Sequence, residues 1–208
     1  GGPENGMPRL LPGLNFVADL TGETAKTFDL NLAFLKRLLE EDLWVRRINI
    51  RQVRPVRKEF EPTGLYREFR RFKELVRPTI DHEILRRILP EGTVLRDVYL
   101  EIRNGHVTYG RQIGTYPILV GLPYDLDVNR FVDVKITSHG QRSVTAVEFP
   151  LDVNRASLKA LEALPGVGAK RAARIVRHRP FANLAELAAA LDDATVVEGV
   201  RSFVGLSS

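Results

Sequence analysis

The residue types best suited to binding an anion lie between positions 163 and 170, where the sequence reads ALPGVGAK. Gly166 and Gly168 permit the positive φ and the close backbone approach of a tight turn, and the apolar Val167 between them can fill the gap between two helices. Apolar residues at helical spacing lie on both sides of this turn. The free N–H groups at the start of the second helix, with the positive end of its dipole, would form a site for a phosphate.

Basic side chains follow the turn directly and add positive charge beside those N–H groups. We therefore predict a nucleic-acid-binding set made of Gly166, Val167, Gly168, Lys170, Arg171 and Arg174. The alternative is a purely structural hairpin, which packs against another domain and touches no nucleic acid.

Residues 151–191 closely resemble the helix-hairpin-helix module of DNA uptake and repair proteins, because the LPGVG core lies inside an uninterrupted match. The resemblance implies binding to nucleic-acid backbones without sequence preference. Such hairpins usually bind better in tandem. A second copy would occupy residues 191–206, but ATVVEGVR at 194–201 lacks the glycine turn. The departure predicts weak binding by this domain alone.

The first 58 residues carry the pattern of a strand, a helix and a second strand. Residues 14–20 are mostly apolar, a helix with one apolar stripe extends to about residue 41, and residues 45–53 form the second strand. This predicts a βαβ unit with parallel strands. Ile48 and Ile50 alternate with Asn49 and Arg51, so we expect the aliphatic side chains under the helix and the polar ones on the opposite face.

The run from Gly13 to Thr24, GLNFVADLTGET, resembles a strand–loop–helix in the later half of radical S-adenosylmethionine enzymes, most similarly the methylthiotransferase type. Thr21 stands where that family usually has proline. The resemblance implies that the chain is the C-terminal portion of an archaeal-type enzyme of this class. It also implies S-adenosylmethionine and a [4Fe-4S] cluster in the intact protein, held through a three-cysteine motif upstream. The alternative is an unrelated βαβ unit.

If the segment is part of such a barrel, its lumen candidates are Asn15, Asp19, Asn49 and Arg51. We expect no cofactor and no catalytic residue in this chain, which alone would be inactive. Two strands leave exposed edges. The segment is therefore expected either to pack on the following helix and the small barrel or to pair with another copy.

Residues 59–90 are predicted to form a helical linker that is broken at Pro78. Aromatic and basic residues are interleaved here, as in a stacking platform for single strands. Leu65, Phe69 and Phe72 also fit the buried face of a helix, and we favour core packing.

From residue 91 the apolar pattern changes to a period of two. Asn104-Gly105 is a strong hairpin signal, and further strands are predicted over 116–122, 131–137 and 143–149. Five short strands predict a small barrel of the oligonucleotide-binding (OB) kind. The segments YGRQ, YPILV and FVDVKIT, which begin at positions 109, 116 and 131, resemble the TRAM domain. That resemblance implies RNA binding and makes Arg111 a candidate phosphate contact; a structural arginine is the alternative.

The chain has 31 Lys and Arg against 26 Asp and Glu, mostly arginine among the basic residues, and a net charge of +5. Guanidinium groups match phosphate oxygens, which suits an anionic partner. The absence of cysteine excludes disulfides and thiolate metal sites in this chain, and the four histidines lack ligand spacing, so no metal site is predicted. No apolar run is long enough for a membrane span and no signal peptide is evident, so we expect a cytoplasmic location.

The predicted fold class is multidomain α+β. Its parts are a partial βαβ segment over 1–58, a helical linker over 59–90, an OB-like or TRAM-like barrel over 91–150 and an all-α helix-hairpin-helix domain over 151–208. The favoured function is the nucleic-acid-binding part of a radical S-adenosylmethionine enzyme, which presents RNA or DNA to a catalytic barrel. The alternative is a nonenzymatic, sequence-independent DNA- or RNA-binding protein. Both functions predict weak binding with a steep salt dependence.

Overall fold

The computed structural model of the chain describes residues 11–54, 60–114 and 117–206. Two compact units are present, and the division between them lies between Ile88 and Leu89. The chain is therefore mixed α+β and contains a closed five-stranded barrel, as the strand and helix patterns of the sequence predict.

The first unit begins with a parallel strand pair. β1 (Gly13–Ala18) and β2 (Arg47–Gln52) pair in parallel and are connected by α1 (Ala25–Glu40). Thr24 precedes α1, and its N–H donates to the Thr27 hydroxyl at 3.2 Å. The predicted βαβ unit and its parallel pairing are confirmed.

Alternation in β2 places its side chains as predicted. Ile48 and Ile50 are buried in one core with Phe28 and Leu35 of α1, whereas Arg51 is exposed. Burial of the aliphatic face against a helical stripe is the main stabilising contribution to such a unit.

The helical segment after β2 belongs to the same core. α2 (Tyr66–Val76) and α3 (His82–Ile88) are joined by a π-helical turn over Arg77–Asp81. Phe69 and Phe72 are 8% and 3% exposed, and they pack in the cluster that contains the aliphatic face of β2. The core-packing interpretation is therefore correct, and these two rings are not available as a stacking platform.

The predicted helix break at Pro78 is replaced by a change of helical type. Pro78 has no N–H, so it cannot continue the regular ladder of hydrogen bonds. The N–H of His82 instead bonds to the carbonyl of Arg77, five residues back, and a π-turn absorbs the defect without ending the helix. Val76 and Ile80 remain buried on either side.

The second unit contains the closed barrel. Its strands run in the order β3-β4-β5-β7-β6, and β5 pairs with β7 in parallel while the other pairs are antiparallel. Their bounds are β3 (Val94–Asn104), β4 (Val107–Gln112), β5 (Leu119–Leu122), β6 (Phe131–His139) and β7 (Ser143–Glu148). The hairpin signal at 104–105 and the barrel are confirmed. Tyr116, the first residue of the third predicted strand, lies outside the described residues.

Four helices follow the barrel: α4 (Leu158–Glu162), α5 (Gly168–His178), α6 (Leu184–Leu191) and α7 (Ala194–Arg201). In addition to these helices, β8 (Leu151–Asp152) and β9 (Val204–Gly205) form a short parallel pair. This pair joins the two ends of the helical region.

Candidate nucleic-acid interface

The first hairpin is formed by α4, the turn over residues 163–167 and α5. Ser157 caps α4, since its hydroxyl accepts the N–H of Ala160 at 3.1 Å. Val167 is 2% exposed and fills the space between the helices, in the position that the sequence predicts. The residue directly before α5 is therefore a buried apolar side chain that packs between the two helices.

The two glycines of the turn have different surroundings. Gly166 and Gly168 have φ of +72° and +57°, a conformation that favours glycine. A Cβ at Gly166 would lie 3.1 Å from Val196 Cγ2, whereas a Cβ at Gly168 would meet no atom within 4 Å. Gly166 therefore also allows close packing of α7, and Gly168 leaves open space at the start of α5.

The N-terminus of α5 is open. Val167 precedes the helix and supplies no side-chain cap, and the first residues, Gly168 to Lys170, are exposed. The first N–H groups of a helix have no partner within it, and they carry the positive end of the helix dipole. This end can donate hydrogen bonds to an anion.

One exposed face of α5 is basic. Lys170, Arg174 and Arg177 are spaced by four and three residues, so they lie on the same side of the helix. Within the described residues, Lys170 and Arg177 form no ion pair, while Arg174 donates to the carbonyl of Ala190 at 3.3 Å and lies 4.0 Å from the Asp192 carboxylate. Lys170 and Arg177 are therefore the cations of this face that remain available to a ligand.

Arg171 points elsewhere. Its guanidinium donates to the carbonyl of Gly166 at 2.9 Å and forms an ion pair of 2.7 Å with Asp193. This side chain therefore ties the glycine turn to the start of α7. Its predicted phosphate contact stays a prediction, and in this structure its partners belong to the protein.

The second helix pair, α6 and α7, has an acidic turn in place of glycines. Asp192 adopts a left-handed conformation with φ of +54°, and Asp193 caps α7. The Asp193 carboxylate accepts the N–H groups of Thr195 at 3.0 Å and Val196 at 3.2 Å. Sequence analysis missed Asp193, although an aspartate directly before an apolar helical run is an N-cap signal.

Arg111 belongs to the barrel and precedes this hairpin in the sequence. It belongs to β4, where it stands opposite Tyr99 of β3, and its guanidinium pairs with Glu101 at 2.5 Å. Both side chains of the ion pair remain more than one third exposed. The contact supports a structural role, and a phosphate contact stays a prediction.

The four lumen candidates lie in the first unit. Asn15 and Asn49 are cross-strand partners, and the Asn49 amide donates to the Asn15 side-chain oxygen at 2.9 Å. Asp19 follows β1 and accepts hydrogen bonds from Gln52 at 3.0 Å and Thr63 at 2.8 Å. Together with the exposed Arg51, and beside the exposed Val17, they place polar side chains on the face of the strand pair that points away from α1 and at its C-terminal edge.

The described residues, 11–54, 60–114 and 117–206, lack a candidate metal centre and a membrane-spanning helix. These residues contain no cluster of three or more His, Cys, Asp or Glu side chains that could hold a metal ion. They also contain no helix long and apolar enough to cross a membrane.

Comparison with known proteins identifies the helical region. Residues 149–192 match the family described as helix-hairpin-helix motif. This segment is a helix-hairpin-helix domain. Its matched residues include α4, α5 and α6, and therefore the open glycine turn.

The chain is also similar to two archaeal proteins. An uncharacterized protein of Archaeoglobus fulgidus is 45% identical in an alignment of 192 residues that covers 89% of this chain and 36% of the relative. An uncharacterized protein of Methanocaldococcus jannaschii is 42% identical in an alignment of 151 residues that covers 68% of this chain and 28% of the relative. The chain thus spans about a third of the length of these relatives.

Proposed function

We propose that this chain binds the phosphate backbone of nucleic acid through the first hairpin of its helix-hairpin-helix domain. The observation that carries the proposal is the uncapped, exposed N-terminus of α5, which lies in the segment that matches the motif. Backbone N–H groups and lysine recognise phosphates and not bases, so the binding has little sequence preference.

On this proposal, the residues of the hairpin have different roles. The N–H groups from Gly168 to Lys170 and the ammonium of Lys170 contact phosphate, and Arg177 extends the contact along α5. Gly166 and Val167 shape the turn. Arg171 links the glycine turn to Asp193, so it affects binding mainly because it holds the turn in place.

A titration of fluorescent single-stranded and duplex oligonucleotides tests this proposal. With about three phosphate contacts, affinity for a single strand should fall roughly 20-fold between 50 and 200 mM salt. Lys170→Ala should weaken binding and lower the slope of log affinity against log salt by about one. Lys36→Ala, which removes the same charge from an exposed position of α1, is the matched control and should leave the slope unchanged.

A salt-independent affinity, or equal slopes for the Lys170→Ala and wild-type proteins, would contradict the proposal. Absence of binding at 20 mM salt would also contradict it. The hairpin would then be a structural element only.

The barrel supplies a second surface in the same proposal. We propose that it binds RNA in the manner that its resemblance to the TRAM domain implies, with Arg111 near the ligand. The closed five-stranded topology supports this assignment. Arg111 is 40% exposed beside its Glu101 partner and so remains accessible to a ligand. Competition between labelled single-stranded RNA and unlabelled DNA of the same sequence tests which ligand is preferred.

We also propose that the intact protein is a cytoplasmic radical S-adenosylmethionine enzyme and that this chain presents nucleic acid to it. The parallel βαβ unit with polar side chains on the face away from α1, and relatives about two and a half times as long, support the idea. The chain has no cysteine, so the residues present do not fit an iron–sulfur cluster. A C-x3-C-x2-C run in the remaining sequence of the relatives is expected, and its absence would leave the nonenzymatic binding protein as the better candidate.

The outer edges of β1 and β2 have no strand partner among the described residues. On this proposal, further strands of the intact protein cover them. In the isolated chain the same edges would pair with a second copy, which sedimentation at several protein concentrations would detect.

A further inference from the structure

The helix-hairpin-helix domain has two helix N-termini side by side, and only one of them is open. α5 begins without a side-chain cap, whereas the start of α7 is filled by the carboxylate of Asp193. We propose that this domain therefore takes single-stranded nucleic acid as its ligand, holding one backbone and gaining nothing from a second strand. The inference rests on the proposed function of the first hairpin.

The first N–H groups of α7 already have a hydrogen-bond acceptor within the protein. One carboxylate oxygen of Asp193 accepts the N–H groups of Thr195 and Val196, which are the groups that would otherwise meet an anion. A phosphate at this position would have to displace a charge of its own sign. The second helix pair thus contains its own anion.

The other carboxylate oxygen of Asp193 binds Arg171 at 2.7 Å, and Arg171 also holds the carbonyl of Gly166. Asp192 lies 4.0 Å from Arg174 in the same way. Arg171 therefore offsets part of the charge of Asp193, and Arg174 lies near the largely exposed Asp192.

The start of α7 lies close to the turn that precedes α5. A Cβ at Gly166 would lie only 3.1 Å from Val196, in the first turn of α7. Asp193, whose charge is offset in part by Arg171, thus stands beside the open end of α5. On this proposal, phosphates approach Lys170 and Arg177, which form no ion pair among the described residues. A duplex presents two phosphate runs, and its second run would find no donor here. The extra strand adds no contact while it stiffens the first.

An aromatic pair on the barrel, in the same compact unit, favours the same ligand class. Phe131 is 52% exposed, and its ring centroid lies 5.1 Å from that of Tyr99. The Tyr99 hydroxyl donates to Asn129 at 3.2 Å, which helps to fix the ring. Exposed rings can stack on bases only when those bases are unpaired.

The test compares single-stranded DNA, single-stranded RNA and duplex DNA of one length by fluorescence anisotropy at 50 and 200 mM salt. The wild-type chain should bind the single strands at least as tightly as the duplex, with a similar number of released ions. Phe131→Ala should weaken single-strand binding at least fivefold and leave duplex binding unchanged. The control for Phe131→Ala is Phe34→Ala, which removes an exposed phenylalanine of α1.

Asp193→Gly opens the start of α7, because glycine is tolerated at an N-cap. It should raise the ratio of duplex to single-strand affinity at least threefold. Asp193→Asn keeps a cap acceptor but removes the charge, and it should raise both affinities equally. The wild-type comparison stands even if Asp193→Gly does not fold.

A wild-type preference for the duplex of threefold or more, with a steeper salt slope and sensitivity to Lys170→Ala, would overturn this inference and leave the proposed function intact. An unchanged ratio in folded Asp193→Gly would overturn it as well. Loss of all binding would overturn the proposed function first.

Discussion

The ammonium group of Lys135, in β6 of the barrel, donates a hydrogen bond of 2.5 Å to the carbonyl of Ser202, which ends α7. The same ammonium lies 5.1 Å from the ring centroid of Phe149 and 4.7 Å from that of Phe203. Lys135 is 8% exposed, and this burial lowers its pKa. A buried cation thus joins the barrel to the last helix of the helix-hairpin-helix domain, where helix carbonyls favour positive charge.

Lys135→Ala should lower the free energy of unfolding by about 2–4 kcal/mol. The substitution removes a charged hydrogen bond and two cation–π contacts in a desolvated place, and it leaves the Ser202 carbonyl without its donor. Chemical denaturation followed by circular dichroism measures the change. Lys170→Ala, at an exposed lysine, should stay within about 0.5 kcal/mol of wild type, and an equal effect of the two variants would contradict the role of Lys135.

The two glycines of the hairpin should differ in stability and in binding. Gly168→Ala should cost about 1 kcal/mol, because its φ is positive but a Cβ would meet open space. Gly166→Ala should cost about 2 kcal/mol, since the added methyl also presses on Val196. Thermal unfolding gives the order. Gly168→Ala should still weaken nucleic-acid binding more than its stability cost explains, because its methyl stands where phosphate approaches.

Arg171→Ala should affect stability as well as binding. Its ion pair with Asp193 is about one third exposed on each side, so the pair contributes only about 0.5–1 kcal/mol. Because that charge is already paired, loss of affinity should be smaller than for Lys170→Ala, although both variants lose one positive charge. A double-mutant cycle with Asp193→Asn checks the coupling. Strictly additive stability effects would mean that the pair contributes nothing.

Much of the fold follows from local patterns. The alternation of Ile48 and Ile50 with polar neighbours placed one side of β2 under α1, and the glycines of the hairpin indicated a turn that few other residues allow. In each case the information lies within a few residues. Such features can be predicted because hydrophobic period and turn chemistry are properties of a short segment.

The features that were not predicted depend on contacts between distant residues. In β6, Lys135 alternates with the apolar Val134 and Ile136, so local spacing alone places it among the polar residues. The chain around Ser202 and Phe203 nevertheless covers it, 67 residues later. Arg171 likewise finds its acidic partner 22 residues away. Local spacing predicts where a side chain leaves its own strand or helix. It cannot predict which later segment will pack over it.

Acid should selectively weaken the barrel through Asp133. The N–H of Asp97, at 3.0 Å, and then the guanidinium of Arg96 hold the pKa of this carboxyl below its ordinary value. A depressed pKa means that the unfolded chain takes up a proton before the folded one does. The stabilisation is therefore complete above the ordinary aspartate pKa of about 4 and is lost as pH falls through the folded-state pKa.

Asp133→Asn should accordingly be less stable than wild type at pH 7, and the difference should shrink between about pH 5 and pH 2. Urea denaturation at several pH values measures both proteins over this range. Arg96→Ala removes the second cause but keeps the Asp97 hydrogen bond, so it should retain most of the wild-type pH dependence. Parallel stability curves for wild type and Asp133→Asn across that range would show that the carboxylate does not gain its stabilisation from ionisation, and that the Asp97 N–H is satisfied equally well by an amide.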